Sequence, residues 1–595
     1  MKLKIRDWYS TWYGRLIIAA SMTAVLFFVL YWKSYIVFFI NDDENIMYTL
    51  AGYYTGGNTA DHSFVNFFLS AILQGLYRLV PGLPWYSIFH VMVLFASITA
   101  IGTCIMKEGN RWGIQPLLCI VLFGGMQLLC FLYPMCLMQF TTTSALAGTA
   151  AVALLFTSDL NQNRHWWISG GLSVLFLLVC YCHRKNTGSV ILCFYALVVA
   201  YKTLNSVLIH HQNKLKVYTA FLNRFTICFL AALLCISSTA FVSQGIVRSS
   251  ADWDYFYQFD EARYKVTDYP HDSYQENPEM YDSLGWTEPL YKLATMGYWF
   301  FMDEHVNAES FDTISETGYQ NTDSSLKQCL VNFKSLLATE HLALVLFLLM
   351  LLFLCVATVL GFLHIKEAKW ELLLCWCAVG GAALMSFYLC WKGRFLLRAF
   401  QVIMYPTLVL LLLTIIKMLK NREHKSQTGW KRWIAVCGAV LVLCSVFGVG
   451  NKLFQETRLL AYDRAVKSSR TLLLESYAME HPENVYIYDT SLTFRYAPFV
   501  TYTEEYPSNL IFWGGMGWKS PAFYEQLQLN GLDELYSDVL FEEGVYYVSY
   551  TGYLNGSGQT ILENFLPYMQ MTFGDFQIEA VDTVGSDITV FRFSK

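Results

Sequence analysis

Charged side chains are scarce in this chain. Only 15% of its 595 residues are Asp, Glu, Lys or Arg, against about 25% in soluble domains. Because 55% of the residues are hydrophobic, this scarcity excludes an ordinary soluble globular protein. The formal net charge of −5 also argues against a nucleic acid as partner, since such partners require a basic surface.

Cysteine motifs and processing signals are absent as well. The sixteen cysteines form no CxxC pair, and residues 451–595 contain none, so zinc and disulfide-exchange sites are not expected. No small-residue cleavage site follows the first apolar segment, which we therefore expect to be an uncleaved signal anchor. The sequence has neither an internal repeat nor a low-complexity segment.

Long hydrophobic runs recur through the first three quarters of the chain. Each has a length near or above the ~18 residues that cross about 30 Å of hydrocarbon as a helix. The sequence therefore predicts a polytopic α-helical membrane protein with about eleven transmembrane helices. They are expected at 16–40, 85–106, 114–135, 140–157, 166–182, 189–204, 225–247, 341–364, 371–391, 399–419 and 433–450.

Lys and Arg concentrate in alternate loops, most densely over 417–432. By the positive-inside rule the N-terminus is then cytoplasmic, provided that segment 63–80 is an interfacial helix outside the membrane. The first loop, 41–84, and a large loop, 248–340, lie outside on this interpretation. Hydrophobic residues recur through the large loop, so we expect an ordered, mostly helical cap.

Residues 451–595 differ in character from the membrane part, 1–450. A helical stretch, 452–480, precedes strand candidates at 485–488, 545–550 and 587–593. About 145 residues are enough to fold alone. We therefore predict a C-terminal extracytoplasmic α/β domain.

Three acidic residues, Asp42, Asp43 and Glu44, follow the first apolar segment. Their loop has no Lys or Arg until Arg78, so any cationic partner must come from elsewhere in the fold. Carboxylates at the end of a membrane span are costly unless they pair, bind a cation or do chemistry. This motif is the first candidate for a functional site.

Two basic clusters break the positive-inside rule. One contains Arg184 and Lys185; the other contains Arg394 and Arg398, which are four apart and expected on one helix face. Such cations can contact lipid headgroups, or they can bind phosphate through paired hydrogen bonds. A carboxylate that faces a phosphate-binding cluster is what group transfer from a lipid-linked phosphate requires.

These features together resemble the GT-C superfamily of polyprenyl-phosphate-dependent glycosyltransferases, which includes protein O-mannosyltransferases, the aminoarabinose transferase of lipid A and oligosaccharyltransferases. Asp43-Glu44-x-x-x-Tyr48 stands where members carry an acidic motif in the first extracytoplasmic loop. Asp61-His62-Ser63-Phe64 resembles the region that follows, without the prolines of other members. Gly393-Arg394-Phe395, with Pro406 beyond it, is similar to a late Gly-Arg-Tyr…Pro pattern.

The resemblance implies inverting transfer of a sugar from a polyprenyl phosphate or pyrophosphate on the outer face of the membrane. The acceptor would be a glycan, a lipid or a protein. It implies Asp43 or Asp42 as the base, with Glu44 assisting. A divalent metal held by Asp43 and Glu44 stays open, and no other cofactor is expected. The remaining candidates are phosphate-binding residues (Arg184, Lys185, Arg394, Arg398, Arg248, Arg263) and substrate-binding residues (His62, Tyr48, Trp253, Trp299).

Three other functions stay open at this point. A lipid flippase or transporter would place ionisable residues near the bilayer midplane, whereas here most charges lie at the ends of spans. A polysaccharide polymerase or ligase would also use lipid-linked sugars and outward-facing arginines. In a non-enzymatic assembly protein the acidic residues would only begin a helix. The expected location is a membrane, with the bacterial plasma membrane favoured.

Overall fold

The structure is a computed structural model. It describes residues 8–52, 60, 64–159, 163–212, 223–321, 326–419, 429–492, 496–499, 507–515, 517–552 and 559–595. His62 lies outside these residues.

Ten helices of the described residues are long and apolar enough to cross a membrane, which supports an integral membrane protein of the polytopic helical class. They coincide with ten of the predicted spans. Their bounds are α1 Trp12–Trp32, α4 Trp85–Arg111, α5 Pro116–Cys136, α6 Phe140–Thr157, α7 Asn163–His183, α8 Lys185–Gln212, α9 Arg224–Val247, α15 His341–Leu363, α16 Ile365–Trp391 and α17 Leu397–Met418.

The helices α6 and α17 form the centre of the bundle. Nearly all of their side chains are buried, and α6 packs against α4, α7, α8 and α17. Small residues permit this close approach: a Cβ on Gly148 would lie 2.6 Å from Ile191. The remaining spans surround this pair and expose large apolar side chains, as expected for helices that face lipid.

The first span is shorter than predicted. The helix α1 ends at Trp32 instead of continuing to residue 40, because Ser34 adopts a positive φ of 54°. The chain then forms β1, Val37–Phe38, which pairs in parallel with β2, Leu137–Met138. This pair sets the start of α2, Asn41–Ala51, beside the start of α6. The short apolar helix α3, Phe67–Leu79, falls where the interfacial helix is predicted.

The large loop is helical, as predicted. Its helices are α10 Ala251–Thr267, α11 Pro278–Ser283, α12 Glu288–Thr295, α13 Ala308–Asn321 and α14 Leu326–Thr339. Buried residues of the first four share one apolar core with the C-terminal sheet. Hydrogen bonds also connect the large loop to the C-terminal unit. Tyr568 donates to Asp303 (2.6 Å), and Trp513 Nε1 donates to the carbonyl of Tyr298 (2.9 Å).

The C-terminal part is an α/β unit with a five-stranded sheet of order β4-β3-β5-β7-β6. Strands β3, β4 and β5 are parallel, whereas β6 and β7 are antiparallel. The three predicted strands are present, and two more join them. The bounds are β3 Val485–Tyr488, β4 Leu510–Phe512, β5 Val545–Tyr550, β6 Gln577–Val584 and β7 Ile588–Ser594, with helices α19 Pro521–Leu529 and α20 Ile561–Phe573.

One long helix, α18, connects the bundle to the sheet. It runs from Gly429 to Glu480 without a break, so it contains both the eleventh predicted span, 433–450, and the expected boundary at 451. Side chains 430–447 lie outside the described set. Its later turns contact the end of α5, strand β1 and strand β6.

Candidate functional site

The acidic residues of the first loop occupy the first turn of α2, at the end of the bundle that also meets the large loop and the sheet. Asp42 is partly accessible, with a side chain 20% exposed, and its Oδ2 lies 3.8 Å from Nη1 of Arg398. Burial raises the pKa of Asp42 above its ordinary value, while the charges of Arg398, Arg184 and Arg263 act in the opposite direction. Asp42 is therefore the member of the motif that meets the late basic cluster.

Asp43 is fully buried and points into the bundle. Its Oδ1 accepts hydrogen bonds from the backbone N–H of Phe140 (2.9 Å), at the start of α6, and from the hydroxyl of Tyr86 (3.0 Å). Burial, followed by the nearby charge of Asp42, raises the pKa of Asp43 well above its ordinary value. Its Oδ2 has no hydrogen-bond donor among the described residues. This geometry anchors α2 to the N-terminus of α6.

Two histidines extend the contacts of Asp43. His90 Nε2 lies 3.5 Å from Asp43 Oδ1 and 3.2 Å from His183 Nε2, and all three side chains are buried. His90 Nδ1 lies 3.0 Å from the hydroxyl of Thr143. Sequence analysis missed Tyr86 and His90. Their spacing of four residues at the start of an apolar helix was the available signal.

Glu44 is the third acidic residue of the motif. It is buried, and its Oε1 accepts a hydrogen bond from Tyr48 (2.6 Å). Within the described parts of the chain, no group of three or more His, Cys, Asp or Glu side chains is arranged to hold a metal ion. A divalent metal held by Asp43 and Glu44 therefore stays a prediction.

The late basic cluster differs from the prediction in one detail. Gly393 has a φ of 74° and ends α16, and α17 begins only at Leu397. Arg394 therefore lies in the connecting segment, so the prediction that Arg394 and Arg398 share a helix face is wrong. Both still line the same cavity. Arg394 Nη1 lies 2.5 Å from Asp268 Oδ2 in the large loop.

The first basic cluster contributes Arg184 to this cavity. The loop expected between residues 182 and 189 is a tight turn at Arg184, between α7 and α8. The guanidinium carbon lies 4.6 Å from the ring centroid of Phe64 and 4.8 Å from that of Phe140. No ion pair of Arg184 is found among the described residues. Lys185 is exposed and does not line the cavity.

The cavity has a volume of about 670 Å³ and two kinds of wall. Arg184, Arg394 and Arg398 form a cationic end, to which Lys265 and Lys392 add charge. Thr141, Thr187 and Ser315 are among the polar residues of the lining. Apolar side chains of α8, α16 and α17 form the second kind of wall. They are Val190, Leu384, Met385, Tyr388, Leu389, Trp391, Val402 and Ile403. Leu384 and Tyr388 are 72% and 59% exposed, so the cavity reaches the outer surface of the bundle.

A second, smaller cavity of about 140 Å³ has Asp42 in its lining. Asp42, Asn45 and Thr49 of α2 line one side, and Trp299 of the large loop lines another. Residues that follow β3 and β4 complete it. Asp42 therefore connects the two cavities, because it lines the smaller one and its ion-pair partner Arg398 lines the larger one.

The other predicted residues are placed as follows. Arg263 is buried beside Asp260, and its guanidinium carbon lies 4.9 Å from the ring of Trp299. Arg248 is exposed at the end of α9 and lines neither cavity. Trp253 packs on Phe256 and also lines neither. His62 lies outside the described residues.

No known protein family, no functionally described protein and no solved structure matches this chain. Its function must therefore be argued from the two cavities and the acidic residues of α2.

Proposed function

We propose that this chain is an integral membrane glycosyltransferase of the GT-C type. On this proposal it moves a sugar from a polyprenyl phosphate or pyrophosphate to a hydroxyl of an acceptor. The reaction would take place at the outer face of the membrane, with the bacterial plasma membrane as the favoured location. The observation that carries the proposal is the larger cavity, with its cationic end and its apolar wall.

The cavity matches the chemistry of a lipid-linked phosphate. Arg and Lys at one end suit phosphate oxygens, and arginine can donate two parallel hydrogen bonds to them. The apolar wall on α16 and α17 opens at exposed, lipid-facing side chains, so an isoprenoid chain could enter from the bilayer. A soluble sugar nucleotide would not need such a wall.

Asp42 is the proposed base. Its side chain is partly accessible, whereas that of Asp43 is fully buried. A raised pKa suits a carboxylate that takes a proton near neutral pH. Asp43 and Tyr86 would serve as positioning residues, because they fix the start of α2 against α6.

The proposed step is a single displacement. The acceptor oxygen attacks the anomeric carbon of the donor sugar, and its proton passes to the carboxylate of Asp42. The bond between the anomeric carbon and the phosphate oxygen breaks, and its electron pair stays on that oxygen. Arg184, Arg394 and Arg398 stabilise the negative charge on the departing phosphate. The configuration at the anomeric carbon is inverted.

The test compares cells that carry the wild-type chain, Asp42→Asn or Arg398→Ala at matched protein levels. Mass spectrometry would quantify surface glycans and polyprenyl-linked sugars. We expect one glycan modification to disappear while its lipid-linked donor accumulates, because transfer stops but donor synthesis continues. Asp533→Asn and Arg458→Ala are matched controls, since both residues are exposed and line neither cavity.

Unchanged glycans and donor pools in both site variants would contradict the proposal. A lipid-linked sugar that accumulates only on the inner leaflet would instead favour a flippase.

A further inference from the structure

The smaller cavity joins three parts of the chain that are distant in sequence. Its walls come from α2, from the large loop and from the sheet unit. Its lining includes Asp42, Thr49, Trp299, Thr490, Gly517 and Ser520. The chemistry of these side chains indicates what the cavity would bind.

Aromatic rings and uncharged polar groups dominate the lining. Trp299, Phe512 and Phe523 supply rings, and Asn45, Thr49 and Thr490 are among the residues that supply amide or hydroxyl groups. Among its described lining residues, no Lys or Arg occurs and Asp42 alone is acidic. Such a surface favours a neutral ring with many hydroxyls over an anion.

We propose that the smaller cavity binds the acceptor as an uncharged saccharide unit and presents one of its hydroxyls to Asp42. This inference rests on the proposed transfer and names its acceptor class. The phosphate end of the donor and the acceptor would then both lie close to the same carboxylate. That arrangement would bring the attacking hydroxyl and the leaving phosphate to one sugar carbon.

The position of Trp299 in the cavity is fixed by contacts on both of its sides. The N–H of Phe301 donates to the carbonyl of Trp513 (3.2 Å), and Trp513 Nε1 donates to the carbonyl of Tyr298 (2.9 Å). Trp299 itself has a positive φ of 54°, a costly conformation for a tryptophan. A Cβ on Gly514 would lie 1.6 Å from the carbonyl oxygen of Trp299, so only glycine allows this approach.

The sheet places the other wall at a position where α/β sheets commonly bind ligands. Thr490 and Gly514 follow the carboxyl ends of the parallel strands β3 and β4. Ligands of open α/β sheets bind outside these strand ends. The N-cap residue Ser520 accepts a hydrogen bond from the N–H of Phe523 (3.2 Å), which sets the start of α19 at the same cavity.

Gly517→Leu tests the inference by filling the cavity. A Cβ at this position would lie 3.9 Å from Asn45 Nδ2, an ordinary contact, so the backbone can accept a side chain. Gly171→Leu is the matched control, because a Cβ there meets nothing within 4 Å and lies far from the lining residues. Thr49→Val is a gentler variant, since it removes one hydroxyl at nearly constant volume.

The probe is a panel of neutral disaccharides built from glucose, galactose, mannose and N-acetylglucosamine. Saturation-transfer NMR and calorimetry would measure their binding to the full-length protein in nanodiscs. We expect binding by wild type and Gly171→Leu, a loss of at least about tenfold in Gly517→Leu because the cavity is filled, and a loss of about 2–12-fold in Thr49→Val.

The two proposals can fail separately. Arg394 lines the larger cavity and pairs with Asp268 of the large loop. Arg394→Ala should therefore leave disaccharide binding unchanged, and saccharide binding without sugar transfer would overturn only the proposed function. No binding by any disaccharide, equal binding by Gly517→Leu and wild type, or binding of hydroxyl-bearing peptides in place of saccharides would overturn the acceptor inference.

Discussion

Substitutions at the two aspartates of the first loop should have different effects. Changes at Asp42 should lower activity, and changes at Asp43 should lower stability. Asp42→Asn keeps the shape of the side chain but removes its capacity to take a proton. A general base contributes about 10²–10⁴-fold to rate, so the barrier should rise by about 3–5 kcal/mol. The ion pair with Arg398, at 3.8 Å between partly exposed groups, contributes at most about 1 kcal/mol. The variant should therefore remain folded while transfer falls by at least about a hundredfold.

Changes at Asp43 should show the opposite pattern. Asp43→Leu leaves the N–H of Phe140 and the hydroxyl of Tyr86 without their acceptor, and each orphaned buried donor costs about 1–3 kcal/mol. The free energy of unfolding should fall by about 2–6 kcal/mol. Asp43→Asn keeps an acceptor oxygen and, because burial raises the pKa of Asp43, resembles its protonated form. We expect Asp43→Asn to retain transfer within about threefold of wild type.

The assay combines turnover of a lipid-linked sugar donor in nanodiscs with thermal unfolding of the same samples. A folded Asp43→Asn variant without transfer, together with an active Asp42→Asn variant, would refute the assignment of the base. Asp43 would then be the base in place of Asp42.

Three further predictions concern charge, packing and pH. Arg394→Ala should weaken binding of a polyprenyl phosphate by about 10–150-fold, because a charge-assisted hydrogen bond is lost, whereas Arg458→Ala should not; calorimetry in nanodiscs measures both. Gly514→Ala should destabilise the protein by about 3 kcal/mol in thermal or denaturant unfolding, because its Cβ would meet the carbonyl of Trp299, and Gly517→Ala should be tolerated. Since burial raises the pKa of Asp43 above 3.8, the folded protein holds a proton that the unfolded chain releases. Stability should therefore fall as pH rises above about 4, and unfolding measured against pH should be flatter in Asp43→Asn.

The sequence was sufficient for the spans, because a hydrophobic run of bilayer length is a local signal. It also singled out Arg184 and Arg398, which broke an alternation of charge and which line one cavity in the structure. It overextended the first span, because hydrophobicity does not reveal the turn at Ser34. It also missed strands β4 and β6, of which β4 has only three residues.

The site itself depends on contacts that no local pattern contains. The adjacent aspartates of α2 point to different partners because α2 lies beside the N-terminus of α6, through a strand pair that joins residues about 100 positions apart. Tyr86 and His90 belong to the site only through that placement. The smaller cavity likewise unites Thr49, Trp299 and Thr490, which long-range packing alone brings together.

Because α18 is continuous, its length determines where the sheet unit lies relative to the site. At 1.5 Å per residue its 52 residues span about 78 Å, much longer than the membrane core requires. Each residue also turns the helix by about 100°, so inserting one residue near 465 would rotate the sheet unit as well as displace it. The wall at Thr490 would then turn away from Asp42, whereas an insertion of seven residues, close to two full turns, would restore the angle but add about 10 Å. The number of residues in the helix thus sets both the distance and the orientation of the sheet unit relative to α2. The site depends on that number as well as on the identity of its side chains.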